Sequence, residues 1–179
     1  MNETLNKEPV TSNVATPAKK KEDTVKKVVI ICSKGTLEDV YAALIMANGA
    51  LADGRDAKMF FTFFGLDAIT TAKADHLHTA TVGNPAFMPS MPTMVGGLPG
   101  FEKFASYMMQ KQMDKLDIPH VTEFIEMIDA GGGEIYACKL AADMFKLEKK
   151  DFLPEVKDII TVSDMYALAD GEGSHFIFI

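Results

Sequence analysis

Glu134-Ile135-Tyr136-Ala137-Cys138-Lys139-Leu140-Ala141-Ala142-Asp143-Met144-Phe145 follows a run of three glycines, Gly131 to Gly133. Ile135 to Ala137 is a short apolar run that reads as a buried strand. The period then changes. Leu140, Met144 and Leu147 recur at helical spacing and share one face of a predicted helix, with Ala141 beside them. Cys138 stands at the change of period. A thiol there lies near the unpaired N–H groups and partial positive charge of a helix start, which favours the nucleophilic thiolate. The junction is the candidate active site.

The same strand-then-helix alternation runs outward in both directions. Val25 to Cys32 (VKKVVIIC) is a first strand, and its run Val28 to Ile31 suits a strand covered on both faces. Ser33-Lys34-Gly35-Thr36 is a turn, with Thr36 the expected N-cap of a helix to Ala52. Val40, Leu44, Ala47 and Leu51 form its core side, and Asp53-Gly54 ends it. Ala57 to Phe64 (AKMFFTFF) is a second, central strand, followed by Gly65-Leu66-Asp67 and a short helix through Ala74.

Residues 75 to 100 are irregular, with Pro85, Pro89, Pro92, Pro99, the pair Gly96-Gly97, and methionines at 88, 91 and 94. A connection this long is a candidate mobile or functional loop. Phe101 to Leu116 is helical, with Phe101, Phe104, Met108 and Met109 apolar, and Pro119 breaks it. His120 to Ala130 is another helix with Val121, Phe124, Ile125 and Ile128 inward and Thr122 or a neighbour as cap. Val156 to Val162 is a fourth strand, Ser163 or Asp164 caps a short helix, and His175 to Ile179 is the last strand. The predicted fold class is α/β: a three-layer α/β/α sandwich around a parallel five-stranded sheet. Residues 1 to 24 read as a disordered polar tail with a basic run Lys19 to Lys21, and residues 25 to 179 as one domain.

The chain has 179 residues, of which 47% are hydrophobic, and a formal net charge of −7. That balance and the lack of a basic stripe argue against a nucleic-acid partner. Two cysteines, Cys32 and Cys138, are too few for a disulfide scaffold, and the polar N-terminus carries no secretory core. The apolar runs are too short to span a membrane. The cytoplasm is the expected compartment.

Ligands of open parallel sheets bind beyond the carboxyl ends of the strands. Cys32, Phe63-Phe64-Gly65-Leu66 and Cys138 are all expected on that rim, and the 75 to 100 loop leaves from it. Cys138 reads either as a nucleophile, carrying sulfur as a persulfide or exchanging with a disulfide, or as a packed structural cysteine. Cys32 continues the apolar run and reads more as core. Lys34 and Lys139 are possible accessory groups for an anionic sulfur, and Phe63, Phe64, Gly65 and Tyr136 are the expected rim or pocket. No cofactor is called for. Ser33-Lys34-Gly35-Thr36 lacks the spacing of a phosphate loop. His76 and His78 lack matched metal partners, so no metal site is expected. Met88, Met91 and Met94 offer soft ligands for Cu(I), but a flexible apolar lid or an oligomer contact explains them more simply.

Three stretches carry a family resemblance over residues 25 to 179: Ala42 to Ala50 leading to Phe60-Phe61-Thr62-Phe63-Phe64-Gly65-Leu66, the Met/Pro/Gly-rich residues 88 to 100 with the helix after them, and Ile135 to Met144 around Cys138. The chain resembles the DsrE/DsrF/DsrH-like sulfur-relay proteins, in particular the DsrE-like branch often labelled peroxiredoxin-family. The resemblance implies a parallel α/β fold, homo-oligomers (trimers or larger), sulfur carried on Cys138, and a TusA-like sulfur carrier or a rhodanese as partner. Two other readings stay open. One is a non-catalytic binding or scaffold module that uses the rim and the methionine loop. The other is a Cys32–Cys138 redox couple, which needs Cα atoms within about 7 Å.

Overall fold

The computed structural model describes residues 24–80 and 100–179. The expected tail, except Thr24, and most of the methionine loop, with Met88, Met91 and Met94, lie outside the described residues. Five strands form one sheet: β1 (Lys27–Cys32), β2 (Asp56–Phe61), β3 (Glu134–Cys138), β4 (Val156–Ile160) and β5 (Ser174–Phe178). Their order is β4-β3-β2-β1-β5, and every pairing is parallel. β2 is central, as its aromatic, apolar sequence predicts.

Among the described residues five α-helices accompany the strands: α1 (Leu37–Ala52), α2 (Phe101–Asp114), α3 (Val121–Ala130), α4 (Lys139–Phe145) and α5 (Val162–Leu168). β1 to β4 advance across the sheet in one direction, and only the step from β4 to β5 returns. Right-handed crossovers therefore put α1 and α3 on one face and α5 on the other. Side-chain alternation agrees. Val28, Ile30 and Cys32 share a face with their register partners Ala57, Met59 and Phe61, and with Ile135 and Ala137 of β3. All of these are buried, seven of the eight at 0% exposure. This is the α1/α3 face. Burying one Ile or Phe there contributes on the order of 1.5–3 kcal/mol.

The opposite face carries Lys27, Val29, Ile31, Lys58, Phe60, Glu134, Tyr136 and Cys138, with Phe176 and Phe178 in register on β5. It is only partly covered by the two-turn α5. Tyr166 of α5 meets Phe176 edge-on at 5.9 Å, and Lys27 Nζ donates to the carbonyls of Leu168 (3.0 Å) and Asp170 (3.1 Å).

Several local expectations are corrected. β2 stops at Phe61, and Phe63–Ile69 form a 3-10 helix in place of the end of the strand. The predicted helix through Ala74 is this turn and a second short one, Ala74–His76. Among the described side chains of α2 the buried ones are Ala105 and Ser106, while Phe104 is exposed. Ser106 is fixed there because its Oγ accepts from the Thr79 N–H at 3.0 Å. α3 starts after His120, whose N–H donates to Glu123, and the Thr122 hydroxyl instead donates to Asp75. α5 is capped by Thr161, not Ser163 or Asp164. The Thr161 hydroxyl accepts from the Asp164 N–H, and Asp164 accepts from the Thr161 N–H. Thr36 does hold the N-cap position of α1, but its hydroxyl donates to Asp39 rather than capping the backbone.

The glycines before β3 have a steric origin. Gly132 has φ +86°, a left-handed turn that suits glycine, and a side chain at Gly133 would collide with Ile128. The turn brings the chain from α3 directly into β3.

Candidate functional site

Cys138 ends β3 and is the N-cap of α4, with φ −72° and ψ 121°. Its Cα register partner on β4 is Ile160, and α5 starts just beyond at Val162. Two adjacent strands thus hand over to two adjacent helices, and the thiol sits between the handovers. A cavity of ≈ 190 Å³ opens there, lined by Cys138, Lys139, Leu140, Asp143, Thr161 and Val162. Cys138 is only 4% exposed, whereas Leu140 and Val162 are 72% and 46% exposed. The sulfur lies at the base of an apolar-rimmed recess that reaches the surface.

The helical period after Cys138 is real, but its face is turned. Ala141 and Ala142 are the buried residues of α4, while Leu140, Met144 and Phe145 are exposed. Leu140, Met144 and Leu147 therefore do not form a common core stripe; Leu147 alone packs on the core from beyond the helix. Small residues let α4 lie close over the ends of β3 and β4.

The residues singled out from the sequence separate into two neighbourhoods. Lys139 lines the thiol recess, with its Nζ 3.2 Å from Asp143 one turn on. Lys34 lies on the β1 side of the rim, with its Nζ 3.2 Å from Asp39. Cys32 is fully buried, and its Sγ donates to the Lys34 carbonyl at 3.5 Å. Burial outweighs that bond and pushes the Cys32 thiol up to about 11, so it is a protonated core residue at neutral pH.

β2 lies between the strands of the two cysteines, so their Cα atoms are about two strand spacings, roughly 10 Å, apart. They also project from opposite faces of the sheet. The geometry of a Cys32–Cys138 disulfide is not met.

Phe63 and Phe64 are exposed on the rim, and Phe64 meets Phe145 of α4 at 6.0 Å. Phe63 has φ +46°, a left-handed conformation that costs a bulky residue on the order of 1 kcal/mol. Gly65 allows it: a side chain there would strike the Cys32 carbonyl, and its N–H donates to the Ser33 carbonyl at 3.2 Å. Tyr136 shares the face of Cys138 but lies below the recess. Its hydroxyl donates to Glu134 at 3.0 Å. Burial opposes the Glu134 charge, yet Lys157, Lys58 and Tyr136 outweigh it and hold the carboxyl down at about 2.

Asp143, Thr161 and Val162 also belong to the recess. The Thr161-x-x-Asp164 capping pattern is the sequence signal that marks this second helix start. His76 and His78 line a separate small cavity with Asp75 and Tyr107. Among the described residues no group of three or more His, Cys, Asp or Glu is arranged to hold a metal ion, and no helix is long and apolar enough to cross a membrane.

A parallel α/β domain with a thiol recessed at the carboxyl end of its third strand defines the general class. Comparison with known proteins defines it further. The chain belongs to the DsrE/DsrF/DrsH-like family, which it matches over residues 24–174. It is 30% identical over 138 residues to the sulfur carrier protein DsrE2 of Allochromatium vinosum, covering 74% of this chain and 86% of that one. It is 29% identical over 160 residues to the uncharacterized protein YrkE of Bacillus subtilis, covering 86% and 97%. Among solved structures, the ychN protein of E. coli superposes with a TM-score of 0.52 at 12% identity, covering 87% of this chain and all of that one. The protein of unknown function MTH1491 of Methanobacterium thermoautotrophicum gives 0.51 at 11%, covering 86% and 98%. These two share the fold.

Proposed function

We propose that the protein carries sulfane sulfur as a persulfide on Cys138 and passes it to a partner thiol. The observation that carries this reading is a nearly buried thiol that lines a recess with ample room for an added sulfur, at the carboxyl end of the sheet. The Cys138 thiolate attacks the outer sulfur of a donor persulfide, R–S–SH. A new S–S bond forms on Cys138, the donor's S–S bond breaks, and its electron pair leaves on the donor thiolate. The proton stays on the transferred sulfur, and nothing is oxidised or reduced overall. An acceptor thiolate repeats the exchange and regenerates the Cys138 thiolate.

The family resemblance supports a TusA-like carrier or a rhodanese as relay partner, and the cytoplasm as the setting. It also supports a homo-oligomer, a trimer or larger. The open sheet face with exposed Phe176, Phe178 and Tyr166 is the apolar surface such an assembly uses. Lys139, paired to Asp143, is the cation that lines the recess, while Cys32, Lys34, Phe63, Phe64 and Tyr136 stand outside its lining.

The test is to incubate the protein with inorganic polysulfide, remove the excess and measure intact mass. A gain of one sulfur, about 32 Da, that disappears in Cys138→Ser is expected. No gain, or a gain that persists in Cys138→Ser, sinks the reading. A relay function that survives Cys138→Ala points instead to a scaffold.

A further inference from the structure

A persulfide has two sulfurs that a thiolate can attack, with opposite consequences. Attack on the outer sulfur of Cys138–S–SH forms a new acceptor persulfide and returns the Cys138 thiolate, so sulfur is relayed. Attack on the inner sulfur joins the attacking thiol to Cys138 as a mixed disulfide. The S–SH bond then breaks, its electron pair leaves on hydrosulfide, and the sulfur is lost. Which sulfur is attacked depends on access as well as on thiol chemistry.

The recess separates the two by depth. The inner sulfur is Cys138 Sγ itself, in a residue 4% exposed. The outer sulfur adds one S–S bond, about 2 Å, and has to extend into the cavity. A sulfur atom is similar in size to a water molecule, whose share of liquid volume is about 30 Å³. The ≈ 190 Å³ cavity accommodates it without displacing protein. Leu140, in the first turn of α4, and Val162, in the first turn of α5, line this cavity and are themselves exposed, one contributed by each helix. Both side chains are apolar and offer an incoming thiolate no hydrogen bond.

We infer that Leu140 and Val162 form an apolar collar that shields the inner sulfur and directs nucleophiles to the outer one, so that Cys138 relays sulfur instead of releasing hydrosulfide. This inference rests on the persulfide reading of Cys138 and adds a specificity role for two residues. The collar acts on thiols of any source. A slender acceptor reaches the outer sulfur, while a bulky free thiol such as glutathione is kept from Sγ.

The experiment loads the full chain with inorganic polysulfide, adds glutathione and measures three products: hydrosulfide, glutathione persulfide and the mixed disulfide on Cys138, a gain of about 305 Da. In the unaltered protein the persulfide product dominates. Leu140→Ala and Val162→Ala, singly and together, raise the share ending as hydrosulfide and mixed disulfide by about threefold or more. An unchanged partition in the double variant overturns the inference. Both side chains are exposed, and a melting curve verifies that each variant folds. A second measurement needs no loaded sulfur: the rates at which iodoacetamide and a fluorescein maleimide label Cys138, assigned by peptide mass. The preference for the small reagent falls in the double variant and rises in Leu140→Phe. If the preference shifts in this way but the protein accepts no sulfur, the collar stands and the persulfide reading fails. If sulfur is accepted and the preference is the same in all variants, the persulfide reading stands and the collar fails.

Discussion

Cys32 and Cys138 project from opposite faces of one sheet, with β2 between their strands. Cys32 is sealed under α1 and α3, and Cys138 opens into a recess beside α5. One protein thus holds two thiols at strand ends in contrasting environments, and the contrast makes them separable by experiment.

Cys32 stays protonated through the neutral range because burial pushes it up to about 11. Native protein labelled with iodoacetamide from pH 7 to 9 is modified at Cys138, and Cys32 reacts only after unfolding. The raised value also has a stability consequence. The folded state holds the Cys32 proton more tightly than the unfolded chain, so its contribution is complete below about pH 9 and is lost as pH rises towards 11. The stability difference between the protein and Cys32→Ala, measured in urea, shrinks by about 2 kcal/mol over that interval.

Glu134 behaves in the opposite sense. Lys58 and Lys157 bind its carboxylate at 2.5 and 2.7 Å, and it titrates near 2. Its contribution is present above pH 4.5 and lost as pH falls from there to 2. Glu134→Gln leaves the largely buried Lys58 without its counter-charge and costs roughly 2 kcal/mol at pH 7. Urea melts at pH 7 and pH 3 check this, and the gap between protein and variant narrows at the lower pH.

Gly65 and Gly49 form a matched pair of tests. A methyl group at Gly65 runs into the Cys32 carbonyl, so Gly65→Ala pushes the rim loops apart and destabilises by roughly 1–3 kcal/mol. Gly49 is an exposed position within α1 with open space around it. Gly49→Ala stabilises by about 0.5–1 kcal/mol. Thermal melts of both variants should move in opposite directions.

Thr161 caps α5 and lines the thiol recess. Thr161→Ala removes the cap bond to Asp164 and lowers stability by about 1 kcal/mol. Thr161→Ser retains the hydroxyl and recovers most of that loss. Denaturant titration of the two variants distinguishes the cap from simple loss of volume.

The parallel five-stranded sheet and its central second strand were legible because apolar runs such as Val28 to Ile31 and Ile135 to Ala137 alternate with helical periods, and parallel winding follows from that alternation. The end of β2 was not. Phe63 and Phe64 continue the apolar run, but the chain turns at Phe63 because Gly35 and Gly65 let two rim loops touch, a contact between distant residues. The exposed side of α4 was hidden for a related reason. Hydrophobicity alone favours Leu140 and Met144 as core, yet only Ala141 and Ala142 are small enough to lie over the strand ends. Cys138 could be placed at a junction from its neighbours. Its recess could not, because two of its six lining residues, Thr161 and Val162, lie more than twenty residues away.

The return of the chain from β4 to β5 has a kinetic consequence. Ser33 donates to the carbonyl of Ile179 across 146 residues of sequence, and β1 gains its second neighbour only when that crossing is made. Until then the Val28-Val29-Ile30-Ile31 edge has no partner on that side, and an apolar open edge invites pairing with another chain. Such late, distant closure also slows folding. During synthesis, the interval between the emergence of β1 and that of β5 is the period in which a chaperone is most needed.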